Sequence, residues 1–282
     1  MTLHSPDPNL TPFQAKRLRR ALSQRQADLA LSDLHIHDHI ASTNDEASRL
    51  AKQDAPNKTL VLAECQSAGR GRRGNVWSAP AQRDLLFSLI LYPEEKNKGE
   101  RNLRLPHLVG VAICQAIEDL LPTISAQLKW PNDVYVDGKK IAGILVESTT
   151  LAGRSSFIVG VGINVNSQSN ERPPELRFSA TSMRDQNLAP VDRHQVLAAF
   201  LAHFDQVHPQ GLADFDPIHR ELMQRSLLLN HNISAQLGEQ NITGEAIGFA
   251  QNGELIIQLP PEQGGQQKIL YNADLVRLLS TS

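Results

Sequence analysis

The sequence predicts an α/β (α+β) fold that carries a small β-barrel at its C-terminal end. Two patterns lead to that expectation. From Leu34 to about residue 229, apolar runs of strand length alternate with longer stretches of helical spacing. After Asn230 the texture changes to short strands separated by glycine, the pattern of a small barrel. At 282 residues the chain exceeds the usual size of one domain. The expected division is an N-terminal extension over 1–33, a main domain over 34–229 and the barrel over 230–282.

In chain order, Phe13 to Leu31 reads as a basic amphipathic helix with Lys16, Arg17, Arg19 and Arg20 clustered. Leu34 to Ile40 alternates His35, His37 and His39 with Ile36, Asp38 and Ile40, a strand period. Three histidines on one strand face are a candidate metal set, but a half-exposed strand face is the commoner outcome. Thr43 and Glu46 have capping-box spacing ahead of a helix from about Asn44 to Gln53. Strands follow at Thr59–Cys65 and Leu85–Tyr92. The apolar series from Leu105 to Leu120 holds helical spacing. Gln127–Trp130 and Val134–Val136 flank a Pro-Asn-Asp turn, and Asp137-Gly138 signals a hairpin into Ile141–Thr149. Phe157–Val165 is a further strand, whose edge is a candidate for pairing between subunits. A polar loop runs from Arg172 to about Ala189. Asp192 then caps a helix built on Val196, Leu197, Phe200, Leu201 and Phe204, and a second helix covers about 212–227. The barrel strands are Ile233–Leu237, Asn241–Phe249, Glu254–Leu259, Lys268–Tyr271 and Leu275–Leu279.

Bulk composition narrows the function classes. A net charge of −2 argues against a dedicated nucleic-acid binder. Two cysteines, Cys65 and Cys114, cannot supply a metal quartet or a disulfide framework, and they fit a reducing compartment. The first ten residues lack the layout of a signal peptide, and no apolar run reaches membrane-spanning length. A cytoplasmic protein without membrane association is expected.

The most informative stretch is Gln66-Ser67-Ala68-Gly69-Arg70-Gly71-Arg72-Arg73-Gly74-Asn75-Val76-Trp77. Its glycines let backbone N–H groups approach an anion, and its arginines offer forked positive charge suited to phosphate or carboxylate. Trp77 offers a flat face for a base or sugar. Gly69, Gly71 and Gly74 match the dinucleotide fingerprint G-x-G-x-x-G, but that loop should open a helix, and here a strand follows. Kinase chemistry would require H-R-D and D-F-G, which the chain lacks. A basic RNA-binding loop is the remaining alternative to a loop that closes over an anionic, nucleotide-like ligand.

Five motifs together resemble a known family. Ser42-Thr43-Asn44, the Gly69–Gly74 run with Trp77, Lys129-Trp130-Pro131-Asn132-Asp133, Lys140-Ile141-Ala142-Gly143-Ile144-Leu145 and Gly160-Val161-Gly162-Ile163-Asn164 occur in the order and spacing of biotin–protein ligases. Gly248 to Leu255 is similar to that family's small C-terminal domain. The resemblance runs from about residue 34 to the end. It implies a mixed-sheet catalytic domain over 34–229, similar in fold to class II aminoacyl-tRNA synthetases, followed by an SH3-like barrel. It also implies the activity of a biotin–[acetyl-CoA-carboxylase] ligase. Biotin and ATP would give biotinyl-5′-AMP, and biotin would then pass to one lysine of a biotin carboxyl carrier protein. About 33 residues precede the first matching strand, so a form without the N-terminal DNA-binding domain of some relatives is expected.

The residues suit that chemistry. Biotin's ureido ring has two N–H donors and one carbonyl acceptor, and Ser42, Thr43, Asn44 and Gln66 supply groups that donate and accept. The resemblance places Gly69, Arg70, Gly71 and Arg72 along biotin, with Gly143, Gly160 and Gly162 making room for it. Bringing a carboxylate to a triphosphate needs cations between them, and Arg70, Arg72 and Lys140 are the candidate catalytic residues. Trp77 is expected beside adenine. With Arg72, Asn132, Asp133 and Asn164 would face the ATP phosphates, Asp133 and Asn164 serving as ligands for Mg2+. Asn75 departs from the family loop, which usually has a basic residue there. Two rivals remain. A lipoate or octanoate ligase on a similar scaffold would have less use for Ser42-Thr43-Asn44. A biotin-responsive nucleic-acid-binding regulator would need the basic residues 16–20. A homodimer is compatible with the sequence.

Overall fold

A computed structural model describes residues 12–25, 33–93, 103–151, 154–176 and 179–279. Its centre is a seven-stranded sheet of spatial order β1-β2-β3-β7-β6-β5-β4. The strands are β1 (Leu34–His37), β2 (Leu60–Ala63), β3 (Leu85–Leu91), β4 (Gln127–Lys129), β5 (Asp133–Val136), β6 (Lys139–Leu151) and β7 (Arg154–Ile163). β1 and β2 are parallel and every other neighbouring pair is antiparallel, so the sheet is mixed. The hairpin between β5 and β6 turns at Asp137 (φ 50°) and Gly138 (φ 69°), the left-handed pair that a two-residue type I′ turn requires.

One face of this sheet carries most of the core. Phe87, Leu89, Val159, Val161, Ile163 and Ile144 are buried there with α3 (Leu105–Leu120) and α5 (Arg193–Ala213). α3 has an apolar residue at nearly every turn position because it packs on the sheet, α5 and α6 (Asp216–Arg225) together. The other face is only partly covered. α2 (Thr43–Ala51) packs there through Ala47, Leu50 and Ala51 onto Val61, Ile90 and Ile158, and the sheet beyond it stays open to a cavity.

The C-terminal unit is a five-stranded antiparallel sheet of order β11-β10-β9-β8-β12. Its strands are β8 (Asn232–Leu237), β9 (Gln240–Phe249), β10 (Leu255–Gln258), β11 (Gln267–Leu270) and β12 (Leu275–Leu278). Its 250–254 turn is tied to the residue after β4 and to the start of α3. Trp130 Nε1 donates to the Gly253 carbonyl at 3.0 Å, and Arg104 Nε donates to Asn252 Oδ1 at 2.9 Å.

Several expectations need correction. β7 is central, flanked by β3 and β6 along its length, so it offers no edge for pairing between subunits. Thr43 and Glu46 form no capping box: Ser42 occupies the N-cap without a side-chain bond, and Glu46 instead binds Arg49 at 2.6 Å. The basic helix α1 is described over Ala15–Gln24, and residues 26–31 lie outside the described residues. α1 lies on α5, where Gln14 N–H donates to His194 Nε2 at 3.0 Å and Arg17 pairs with Asp192 at 2.9 Å. His35 pairs with Asp33 at 2.8 Å, and no cluster of three or more metal-ligating His, Cys, Asp or Glu occurs among the described residues. A short helix, α4 (Met183–Asn187), interrupts the expected polar loop; Ser182 caps it by accepting from Asp185 N–H. Among the described residues, no helix is long and apolar enough to cross a membrane.

Candidate functional site

The open face of the sheet forms the floor of a cavity of about 310 Å³. Register places Ser88, Gly160 and Leu145 in one cross-strand row and Leu86, Gly162 and Gly143 in the next. Side chains of such a row share a face, so three glycines leave a trough across β6 and β7. The chain fills part of it. The Asn44 amide lies on Gly160, where a β-carbon would stand 2.2 Å from Oδ1. The Trp77 indole lies on the next row, 2.3 Å from a β-carbon at Gly162 and 2.7 Å from one at Gly143. Trp77 Nε1 is buried and has no hydrogen-bond partner.

The first turn of α2 gives the cavity a neutral polar end. Ser42, Thr43 and Asn44 are buried there. Thr43 N–H donates to Gln66 Oε1 at 2.7 Å, which joins the turn to the chain entering the glycine-arginine loop. That loop is a closed hairpin held by its own backbone. Gly71 N–H donates to Asn75 O at 2.7 Å, Asn75 N–H to Arg72 O at 3.1 Å, and Trp77 N–H to Gly69 O at 3.0 Å. Its tip bends through Arg73 at φ 55°. Asn75 therefore serves the loop through its backbone.

Lys140, Lys129 and Arg72 make the other end cationic. Arg72 Nη1 donates to Asn132 Oδ1 at 3.3 Å, and Asn132 is itself fixed by Nδ2 donating to Ile144 O at 2.7 Å. Burial and the neighbouring Arg73 weaken the charged form of Arg72, opposed by Asp133. Burial, with a further contribution from Lys140, lowers the pKa of Lys129, against the attraction of Asp133. Lys140 Nζ pairs with Asp133 at 2.6 Å and sits 5.5 Å from the Trp77 ring centroid. Burial and Asp133 push the Tyr135 phenol up to about 12, so it stays protonated beside Lys129 Nζ at 3.3 Å. These cations share one carboxylate, and an incoming anion would relieve their mutual repulsion. Arg70 lies towards the neutral end, paired with Asp45 at 2.7 Å and Glu147 at 3.3 Å.

The chain's own residues do not fit a magnesium site. Asp133 is committed to Lys140, and Asn164 is buried away from the cavity, its Nδ2 donating to the Thr181 carbonyl at 2.9 Å.

A profile of the Biotin/lipoate A/B protein ligase family matches residues 37–166. The chain is 36% identical over 244 residues to the bifunctional ligase/repressor BirA of Bacillus subtilis (strain 168), spanning 86% of this chain and 73% of that protein. A biotin–[acetyl-CoA-carboxylase] ligase of Mycobacterium tuberculosis is 28% identical, over 93% of this chain and 98% of its own. The structure of the Aquifex aeolicus biotin protein ligase in complex with biotin and ATP superposes with a TM-score of 0.75 at 30% identity, covering 88% of this chain and 99% of that one. The chain belongs to the biotin protein ligases. It is a ligase enzyme of that type, with the mixed α/β sheet and separate C-terminal antiparallel sheet of the family.

In this ligase, the expected residues Ser42, Thr43, Asn44 and Gln66 come together at one end of the cavity. Arg70, Gly71, Arg72 and Trp77 form its lid side, and Asn132, Asp133 and Lys140 its cationic end. Gly143, Gly160 and Gly162 form the floor. Gly69 is not on the wall; it is the point where the two loop arms cross, with Trp77 O 2.4 Å from where its β-carbon would be. Asn164 is not there either, because the strand ends at Ile163 and the chain turns into the 164–167 segment held by Asp84. Sequence reasoning missed Ser88, Glu147, Lys129, Tyr135 and the segment 273–276 of the C-terminal unit, which closes one side. Ser88 did carry a signal, as the one polar residue in the run Leu85–Leu91.

Proposed function

We propose that this ligase activates biotin with ATP to biotinyl-5′-AMP and then biotinylates one lysine of a biotin carboxyl carrier protein. A single arrangement carries the reading: a neutral, hydrogen-bonding end and a cationic end share one glycine floor. The two floor glycines, Gly160 and Gly162, are about 7 Å apart, the rise of two strand residues. The neutral end suits an uncharged ureido ring, and the cationic end suits a carboxylate meeting a triphosphate. The structural relative from Aquifex aeolicus binds both biotin and ATP.

In the first step a biotin carboxylate oxygen attacks the α-phosphorus, the bond to the β-phosphate bridging oxygen breaks, and pyrophosphate leaves. Arg72, Lys140 and Lys129 screen the two anions and hold the charge that builds on the phosphoryl oxygens. No side chain needs to act as a nucleophile; positioning and charge supply the catalysis. In the second step the deprotonated ε-amine of the acceptor lysine attacks the acyl carbon. The carbonyl carbon–oxygen bond to AMP breaks, AMP leaves, and the amide nitrogen loses its extra proton to solvent. Trp77 would turn its ring to adenine and give its unpaired Nε1 a partner. Magnesium would enter with the nucleotide phosphates, and none of the steps assigned to the chain runs through it.

The test is to incubate the full chain with ATP, biotin and a carrier domain, measuring intact mass and released AMP. The expected result is one added biotin on one lysine. No modification, or faster use of lipoate than of biotin, overturns the reading.

A further inference from the structure

Ser88 is fully buried in β3, between Phe87 and Leu89. Its Oγ lies 2.8 Å from Thr43 Oγ1 and 2.6 Å from Asn44 Oδ1. Asn44 Nδ2 lies 2.6 Å from Glu147 Oε2, and Glu147 is paired with Arg70 at 3.3 Å. These contacts form one chain of polar groups that starts at Ser88 on β3, passes over Gly160 on β7 and ends at Glu147 on β6, in the same-face row beyond Gly160.

Counting protons fixes its direction. An amide oxygen only accepts, so the Ser88–Asn44 contact uses the single Ser88 hydroxyl proton. Ser88 then has none left for Thr43, and that contact requires the Thr43 hydroxyl to donate to Ser88. Gln66 Oε1 takes the Thr43 backbone N–H at 2.7 Å and lies 3.2 Å from Thr43 Oγ1, a second and longer acceptor for the same hydroxyl proton, so Thr43 Oγ1 is left accepting in either case. At the far end the Glu147 carboxylate only accepts, so the amide must turn its NH2 towards it. The chain runs Thr43 to Ser88 to Asn44 to Glu147, and reversing the amide would break both ends.

Two acceptors therefore face the cavity side by side: Thr43 Oγ1, which has given its proton away, and Asn44 Oδ1, which keeps a second lone pair. We propose that Ser88 and Glu147 are positioning residues that hold this acceptor pair towards one ring N–H of a cyclic urea, and so set the ligase's preference for a ureido ring. This rests on the biotin reading above and names the residues behind its selectivity. Neither side chain touches the reacting atoms; both act through Asn44 and Thr43.

The experiment is titration calorimetry of the full chain with biotin and with an N-methylated biotin that lacks one ring N–H. It compares wild type, Ser88→Ala, Ser88→Thr and Glu147→Met. Wild type should prefer biotin. Ser88→Ala should bind biotin roughly tenfold more weakly and narrow that preference several-fold, because the acceptors are no longer held in place. Ser88→Thr, which restores the hydroxyl, should recover much of the preference, and Glu147→Met should narrow it from the other end of the chain. A void at Ser88 would weaken both ligands alike. An unchanged ratio in both Ser88→Ala and Glu147→Met overturns this proposal while leaving the biotin reading intact. Failure of wild type to bind biotin overturns the biotin reading itself.

Discussion

Asn44 lies flat on Gly160, so closely that a β-carbon at 160 would stand 2.2 Å from Oδ1 and 2.8 Å from Cγ. Asn44 has little room to withdraw, because Ser88 holds its oxygen and Glu147 its nitrogen. A glycine in a central strand ordinarily weakens packing; here the missing side chain is where the Asn44 amide rests.

Gly160→Ala should therefore act on ligand binding rather than on the sheet. The added methyl forces the amide off the floor and breaks at least one of its hydrogen bonds, a cost of about 1–3 kcal/mol. Biotin affinity should fall roughly 10- to 100-fold by calorimetry. Circular dichroism should still report a folded chain, since alanine is a normal strand residue at this non-turn position.

Lys140→Ala tests the charge-bridging role. Lys140 is 31% exposed and pairs with Asp133, whose side chain is 23% exposed, so the pair is screened by solvent and stability should change by about 1 kcal/mol. Adenylate formation should slow about 10²- to 10³-fold, the usual effect of removing one preorganised charge. Pyrophosphate release measures it, and Arg72→Ala should behave alike. Release at the wild-type rate in either variant removes that residue from the step.

Much of this architecture was legible in sequence because it rests on local rules. The apolar run Leu85–Leu91, the helical spacing of Leu105–Leu120 and the Asp137-Gly138 turn each encode their own conformation. The site was legible where dense motifs carry it, as in Ser42-Thr43-Asn44 and the glycine-arginine loop. What escaped depends on tertiary register. Ser88 matters because β3 places it beside Gly160 and under Asn44, 44 residues away in the chain. Thr43 looked like a capping residue because capping is local, whereas its actual partners, Gln66 and Ser88, come from other strands and loops. Asn164 follows a glycine-rich strand that lines the cavity, but the strand ends one residue earlier and the alternation of faces ends with it.

Arg73 pairs with Asp274, which ties the tip of the loop to the C-terminal unit. The pair is partly exposed, so its contribution is at most about 1 kcal/mol. In Asp274→Ala, bound adenylate should leave about two to five times faster in a filter-retention assay, the rate equivalent of that energy. Asp274→Glu should retain much of the wild-type lifetime. An unchanged lifetime in Asp274→Ala would show that the tether does not govern loop opening.

The junction between α3 and the C-terminal sheet should make stability pH-dependent. His107 is buried beside Gly253 and Glu254; burial lowers its pKa from 6.5 to about 4, although Glu254 and the Gly253 backbone act the other way. In the unfolded chain His107 takes up a proton near its ordinary value, whereas in the folded chain it stays neutral until much lower pH. The unfolded state thus binds more protons between those values, and stability falls as pH drops through the window. His107 alone should account for roughly 2 kcal/mol of the loss between pH 7 and pH 5. Urea unfolding of wild type and His107→Phe at both pH values isolates that share: the variant should lose less stability over the same interval, and an equal loss in both chains would mean that His107 is already solvated when folded.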